Sequence, residues 1–194
     1  TKFEKKLENG LTEDLYPQIH AVGESGIFGP NWDGCTNYVR FEILKRLGYF
    51  VTESSEHFAE YTPWFIKNHQ KDLVKQFDIP INEYIRRCEK QILQWEDQEK
   101  ELLNNSQLEH TKSVEYASRI ILSMVTGSKD LIYGNVLNQN FIPNLPHNSC
   151  VEVPCIVQKN EIIPQTVAPL PMHLANLIQT NINVQQLTVE ALKT

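Results

Sequence analysis

Ile81, Tyr84, Ile85, Cys88, Ile92, Trp95 and Leu102, following Pro80, constrain this chain more than any other stretch, because their near-helical spacing puts apolar side chains on one face. The spacing predicts one helix over residues 81–104. Glu83 with Arg87 and Glu96 with Lys100 are favourable i,i+4 pairs on its polar side, and that charge run reads as a solvated face. A second stripe, Val114, Ala117, Ile121 and Met124, predicts a helix over about 110–126 ending at Gly127. The Asn104-Asn105-Ser106 turn between them suggests an antiparallel helical hairpin.

Downstream the pattern changes to strands. Residues 131–137, 149–157 and 161–167 are strand candidates, with Lys159-Asn160 as a hairpin turn and with Pro154 and Pro164 marking bulges or edges. A last helix is expected from Leu174 to Lys193, its middle unusually polar (Gln179 to Asn183). Upstream, Thr12 reads as the N-cap of a short helix over 12–19, and Thr36 as the cap of a helix over 36–47 that Gly48 stops. Gly23 to Gly34 is loop chemistry, either a surface loop or a substrate lid in which Trp32 would stack on sugar. The expected fold class is α+β: long helices with a small antiparallel sheet.

A length of 194 residues suits a single domain over 1–194, and 41% hydrophobic with 22% charged residues is an ordinary soluble composition. A net charge of -6 without a basic cluster argues against nucleic acid as a partner. No apolar run is long enough to span a membrane and no signal peptide opens the chain, so the expected location is cytoplasmic. Cys35, Cys88, Cys150 and Cys155 lack CxxC spacing and are expected to be reduced. Both termini read as cut ends.

The stretch from Tyr49 to Phe65 gathers Glu53, Glu56, Glu60, His57, four Ser or Thr hydroxyls, Tyr61 and Trp64. Burying so many polar groups requires a partner for each, whereas a cleft that binds polyols and moves protons uses these types directly. Together with Val151-Glu-Val-Pro154 and Thr180-Asn-Ile-Asn-Val-Gln-Gln-Leu-Thr-Val-Glu-Ala191, the stretch resembles the C-terminal half of glycoside hydrolase family 4, on its α-galactosidase and α-glucosidase side.

That resemblance implies an NAD-dependent cleavage, an exception to the usual two-carboxylate mechanism. Hydride leaves sugar C3 for NAD, a base takes the acidified C2 proton, the C1 group is eliminated, water adds and the hydride returns. Manganese stabilises the enolate. The G-x-G-x-x-G fingerprint is absent from this chain, and the family's metal-binding Cys and His motifs lie upstream of the segment resembled, so NAD and Mn2+ are expected to bind outside it. Cys35 and His20 are not candidates for those roles.

His57 is the first choice for proton transfer, because imidazole titrates near neutrality. A loose family alignment also sets it beside a tyrosine base, with Tyr61 one turn on. Glu53 and Tyr61 are the runners-up, and a hydrogen-bonded packing role for His57 is the competing reading. Asn138 and Asn144 sit where the family has asparagines near the site, and amides suit vicinal hydroxyls; turn formation before Pro competes for Asn144. Arg40, Arg86, Arg87 and Arg119 could meet a sugar phosphate, but ordinary ion pairs explain three of them, which favours a non-phosphorylated glycoside.

The expectation is therefore the substrate and oligomer-forming part of a glycosidase acting on α-galactosides or related sugars, a homo-oligomer (dimer or tetramer), with the NAD-binding domain not present in this chain. The rivals are a non-catalytic dimerisation or sugar-binding module and, ranked low, the C-terminal part of a lactate or malate dehydrogenase.

Overall fold

The computed structural model describes residues 3–7, 9–26, 36–104 and 115–193. The chain divides into two compact units, Thr1–Leu108 and Glu109–Thr194.

The first unit opens with a two-stranded ribbon, β1 (Glu4–Lys6) and β2 (Thr12–Asp14), paired antiparallel with Glu4 opposite Asp14. Thr12 is thus a strand residue and not the expected N-cap. Helix α1 (Tyr16–Ser25) starts four residues later, and Asp14 Oδ1 takes the Tyr16 N–H at 3.0 Å. Helix α2 (Tyr38–Leu47) ends at Gly48, whose φ of 77° is the left-handed stop that glycine accommodates. Thr36 does not cap it; the N-cap is Asn37, whose Oδ1 is engaged by Arg40 Nη1. α1 packs closely on α2, since a Cβ on Gly23 would meet Phe41 Cδ1 at 3.1 Å.

Helices α3 (Ser55–Tyr61), α4 (Asp72–Gln76) and α5 (Glu83–Asn104) complete this unit. Val39, Ile43, Ala59, Phe65 and Ile79 form its core, with Leu47, Phe58 and Phe77 packed around them. The α5 helix is where residues 81–104 were expected to be helical, yet Glu83 is its only buried residue. Its apolar stripe faces outward.

The second unit begins in the described residues with α6 (Ala117–Thr126), again stopped by a left-handed glycine, Gly127. Residues 110–114 of the expected helix, and most of the expected hairpin turn, lie outside the described residues. So do Trp32, Cys35 and most of the glycine-rich loop.

Strands β3 (Asp130–Leu137), β4 (Cys150–Gln158) and β5 (Glu161–Pro164) form an antiparallel sheet in that order, followed by α7 (Met172–Ala191). Val151, Val153, Cys155 and Val157 alternate inward along β4 and meet Ile132, Ala175 and Ile182 in the core. Pro154 stands in the middle strand, opposite Tyr133, and not at an edge. It is tolerated because β5 ends at Pro164, paired with Cys155, so no ladder bond is required from its nitrogen; its carbonyl accepts from Gln165 N–H at 2.8 Å. Cys88, Cys150 and Cys155 are free thiols. The α+β class is as expected, and no helix among the described residues is long and apolar enough to cross a membrane.

Candidate functional site

The polar stretch folds as a helix whose start is fixed from several directions. Ser54 is extended, and its hydroxyl accepts the His57 backbone N–H at 3.2 Å, satisfying a donor that the helix itself leaves orphaned. Glu53 Oε1 accepts the Ser54 N–H at 2.8 Å. Arg40 of α2 donates from Nε to the Val51 carbonyl at 2.9 Å, with its guanidinium 4.3 Å over the Phe50 ring. Burial lowers the Arg40 pKa and the Glu53 charge opposes that shift.

From α5, Arg87 reaches two buried carboxylates, Glu83 at 3.1 Å and Glu56 of α3 at 3.6 Å. The hydrogen bond from Arg86, helped by Arg87, lowers the Glu83 pKa from 4.5 to about 2. That pairing therefore contributes stability above the unfolded value and loses it as pH falls through about 2. The start of α3 is thus held from both α2 and α5.

Its outer face carries the titratable groups. His57 Nδ1 lies 3.0 Å from Glu60 Oε2, and the two side chains are 45% and 49% exposed. Tyr61 stacks on the imidazole, with ring centroids 6.2 Å apart and planes 21° from parallel. The bond to Glu60 is the main reason the His57 pKa is raised; partial desolvation opposes it, and the charges of Glu53, Glu56 and Glu60 add to it. A carboxylate on Nδ1 fixes the ring and leaves Nε2 as the atom for proton exchange. Glu60 was not singled out from sequence, although its position three residues after His57 on a helix was the available signal.

Glu53, His57 and Tyr61 thus lie close together on open surface rather than along the wall of a hollow. The first unit has hollows of about 480 Å3, beside Arg46, Trp64, Lys67 and Phe77, and about 620 Å3, beside His20, Tyr38, Lys45 and Phe41. None of the three candidates lines either one.

The asparagines behave differently. Asn138 is wholly buried, its Nδ2 donating to the carbonyls of Ile142, Leu145 and Pro146 and its Oδ1 accepting the Ile142 N–H. Asn144 clamps Leu170, donating to its carbonyl at 2.8 Å and accepting its N–H at 2.9 Å. The expectation that Asn138 faces sugar hydroxyls is corrected here, because the amide is wholly buried and bound to backbone, whereas Asn144 is exposed with its amide on the Leu170 backbone. Arg119 forks onto Asp130, and Arg86 and Arg87 pair with Glu83.

The described residues contain no group of three or more His, Cys, Asp or Glu able to hold a metal ion. They also lack the parallel βαβ unit that a dinucleotide needs. The described residues therefore do not fit either group as its principal binding site.

A family model described as "Family 4 glycosyl hydrolase C-terminal domain" matches residues 2–194. The chain belongs to that glycosidase family. Within family 4 it is 45% identical over 178 residues to the α-galactosidase of Bacillus subtilis (strain 168), covering 92% of this chain and 40% of that enzyme. It is 30% identical over 161 residues to the α-galactosidase of Rhizobium meliloti (strain 1021), covering 79% of this chain and 33% of the relative. The chain thus spans well under half the length of the curated relatives it matches.

Among solved structures, the fold is similar to lplD from Bacillus subtilis, provisionally described as a glucosidase (TM-score 0.73, 21% identity, 90% of this chain and 42% of that one). It is also similar to the 6-phospho-beta glucosidase of Thermotoga maritima, solved with manganese, NAD+ and glucose-6-phosphate (TM-score 0.55, 15% identity, 92% and 38%). At these identities the two structures speak to the fold.

Proposed function

We propose that this chain is the C-terminal, sugar-facing part of an NAD- and divalent-metal-dependent glycosidase that cleaves α-galactosides or closely related glycosides. The observation that carries this reading is the 45% identity to the Bacillus subtilis α-galactosidase over 92% of the chain. The manganese and NAD+ of the Thermotoga maritima structure supply the precedent for both cofactors. In this reading their principal ligands come from polypeptide outside these residues, and an NAD-using enzyme belongs in the cytoplasm.

What this chain contributes is a proton-handling face. His57, oriented by Glu60 and backed by Tyr61, takes or returns a proton through Nε2, while Ser54, Arg40 and Arg87 hold the helix that presents it. The engagement of Arg86, Arg87 and Arg119 by carboxylates, and of Arg40 by Val51 and Asn37, favours a non-phosphorylated substrate.

The test is turnover of nitrophenyl α-galactoside by the full-length protein supplied with NAD and manganese. Hydrolysis that requires both cofactors supports the proposal. Hydrolysis by the 194-residue chain alone, or cofactor-independent hydrolysis by the whole, overturns it.

A further inference from the structure

The hollow of about 480 Å3 in the first unit collects polar side chains that the fold itself does not use. It is lined from α2, from α4 and from the segment that joins α3 to α4. Arg46 bonds to Glu42 through Oε1 alone, so Glu42 Oε2 has no partner among the described residues. The side-chain amides of Gln70 and Gln76 and the ammonium of half-buried Lys67 likewise bond to no other described residue. Trp64 also lines the hollow, 38% exposed, with its ring centroid 6.3 Å from that of Phe58.

An aromatic face surrounded by groups that donate and accept is what a saccharide requires. The C–H face of a sugar ring lies flat on an indole, while its hydroxyls take up amides, a carboxylate oxygen and an ammonium. A phosphate suits the same lining poorly: Arg46 is engaged by Glu42, so the anion would meet Lys67 beside a carboxylate oxygen that repels it. A purely apolar ligand suits it no better, since it would strip water from Gln70, Gln76 and Lys67 without replacing their hydrogen bonds.

We infer that this hollow binds the distal sugar of an oligosaccharide whose terminal galactose lies at His57, so that Trp64, Gln70 and Gln76 set a preference for longer substrates. The inference rests on the glycosidase reading and extends it to the length of the substrate. Position supports it. Trp64 stands three places after Tyr61, which limits their Cα separation to ~11 Å, and its ring contacts Phe58, the neighbour of His57. A hollow at that distance is reached by a sugar or two beyond the one undergoing cleavage. Its volume is that of a small-ligand pocket.

The experiment compares two substrates on the full-length protein supplied with NAD and manganese: nitrophenyl α-galactoside and a trisaccharide ending in α-galactose. The readout is the ratio of their kcat/KM values, with melting temperature followed alongside. Gln70→Ala combined with Gln76→Ala removes two amides that hold nothing in the described fold. It is expected to cut the trisaccharide-to-nitrophenyl ratio roughly tenfold with the melting temperature unchanged. Trp64→Ala is expected to cut the ratio further, and Trp64→Phe to restore part of the loss. A ratio unmoved in both the double variant and Trp64→Ala overturns the inference and leaves the glycosidase reading standing. If the ratio holds while the melting temperature falls, the hollow packs against another part of the polypeptide and the inference is equally overturned. Turnover of neither substrate by wild type would overturn the glycosidase reading and this inference with it.

Discussion

Two polar features that stood out in the sequence, Asn138 of the second unit and the α3 cluster of the first, have opposite relations to solvent. Asn138 is closed off, and every hydrogen bond it makes ends on backbone. His57 and Glu60 are about half exposed, bonded to one another. A buried amide is retained because it satisfies carbonyls that would otherwise be orphaned in the turn after β3. An exposed imidazole with a raised pKa has no such duty, and its fixed orientation leaves it available for proton transfer. Residue type and the family resemblance made both candidates; burial separates Asn138 from His57.

The contrast is broken most readily at Asn138. Asn138→Ala leaves the turn carbonyls and the Ile142 N–H without partners in a dry interior, so it is expected to lower stability by about 3 kcal/mol or more, read as a denaturation midpoint. Asn138→Asp should be at least as harmful, because a carboxylate cannot donate to those carbonyls. If either variant kept its stability and lost only sugar affinity, the buried amide would be a binding group after all.

Asn144→Ala removes a reciprocal pair of bonds to Leu170 in an exposed setting where water can replace them, and about 1 kcal/mol is expected from the same measurement. The smallest effect lies in the His57–Glu60 pair. Its bond contributes fully below the unfolded histidine pKa of 6.5 and is lost as pH rises through the raised folded value. Exposure makes that contribution small, so the sharper readout is an NMR titration in which Glu60→Gln lowers the His57 pKa without displacing α3.

Much of the architecture was legible from local chemistry. Apolar periodicity marked α5 and α6, left-handed glycines marked the ends of α2 and α6, and Lys159-Asn160 marked the β4–β5 turn. Thr12 was misread because its cap-like chemistry is local while its strand pairing with Lys6 is not; the helix-entry role moved to Asp14. Pro154 was misplaced for a related reason, since which ladder bond a proline omits depends on where the neighbouring strand stops. The candidate site was half legible. His57 and Tyr61 followed from residue type, whereas Glu60 emerged only once the helix set its reach, and the backbone duties of Asn138 and Asn144 required the turn and the distant Leu170 to be in place. Periodicity identified the apolar face of α5 but said nothing of what covers it.

The central claim is that the α3 face does chemistry while the buried Asn138 amide does architecture. Its most direct test is His57→Ala in the full-length protein, with turnover of nitrophenyl α-galactoside and melting temperature measured side by side. The account predicts a rate lower by roughly 100-fold with stability within about 0.5 kcal/mol of wild type. An unchanged rate, or a rate lost only in step with unfolding, would contradict it.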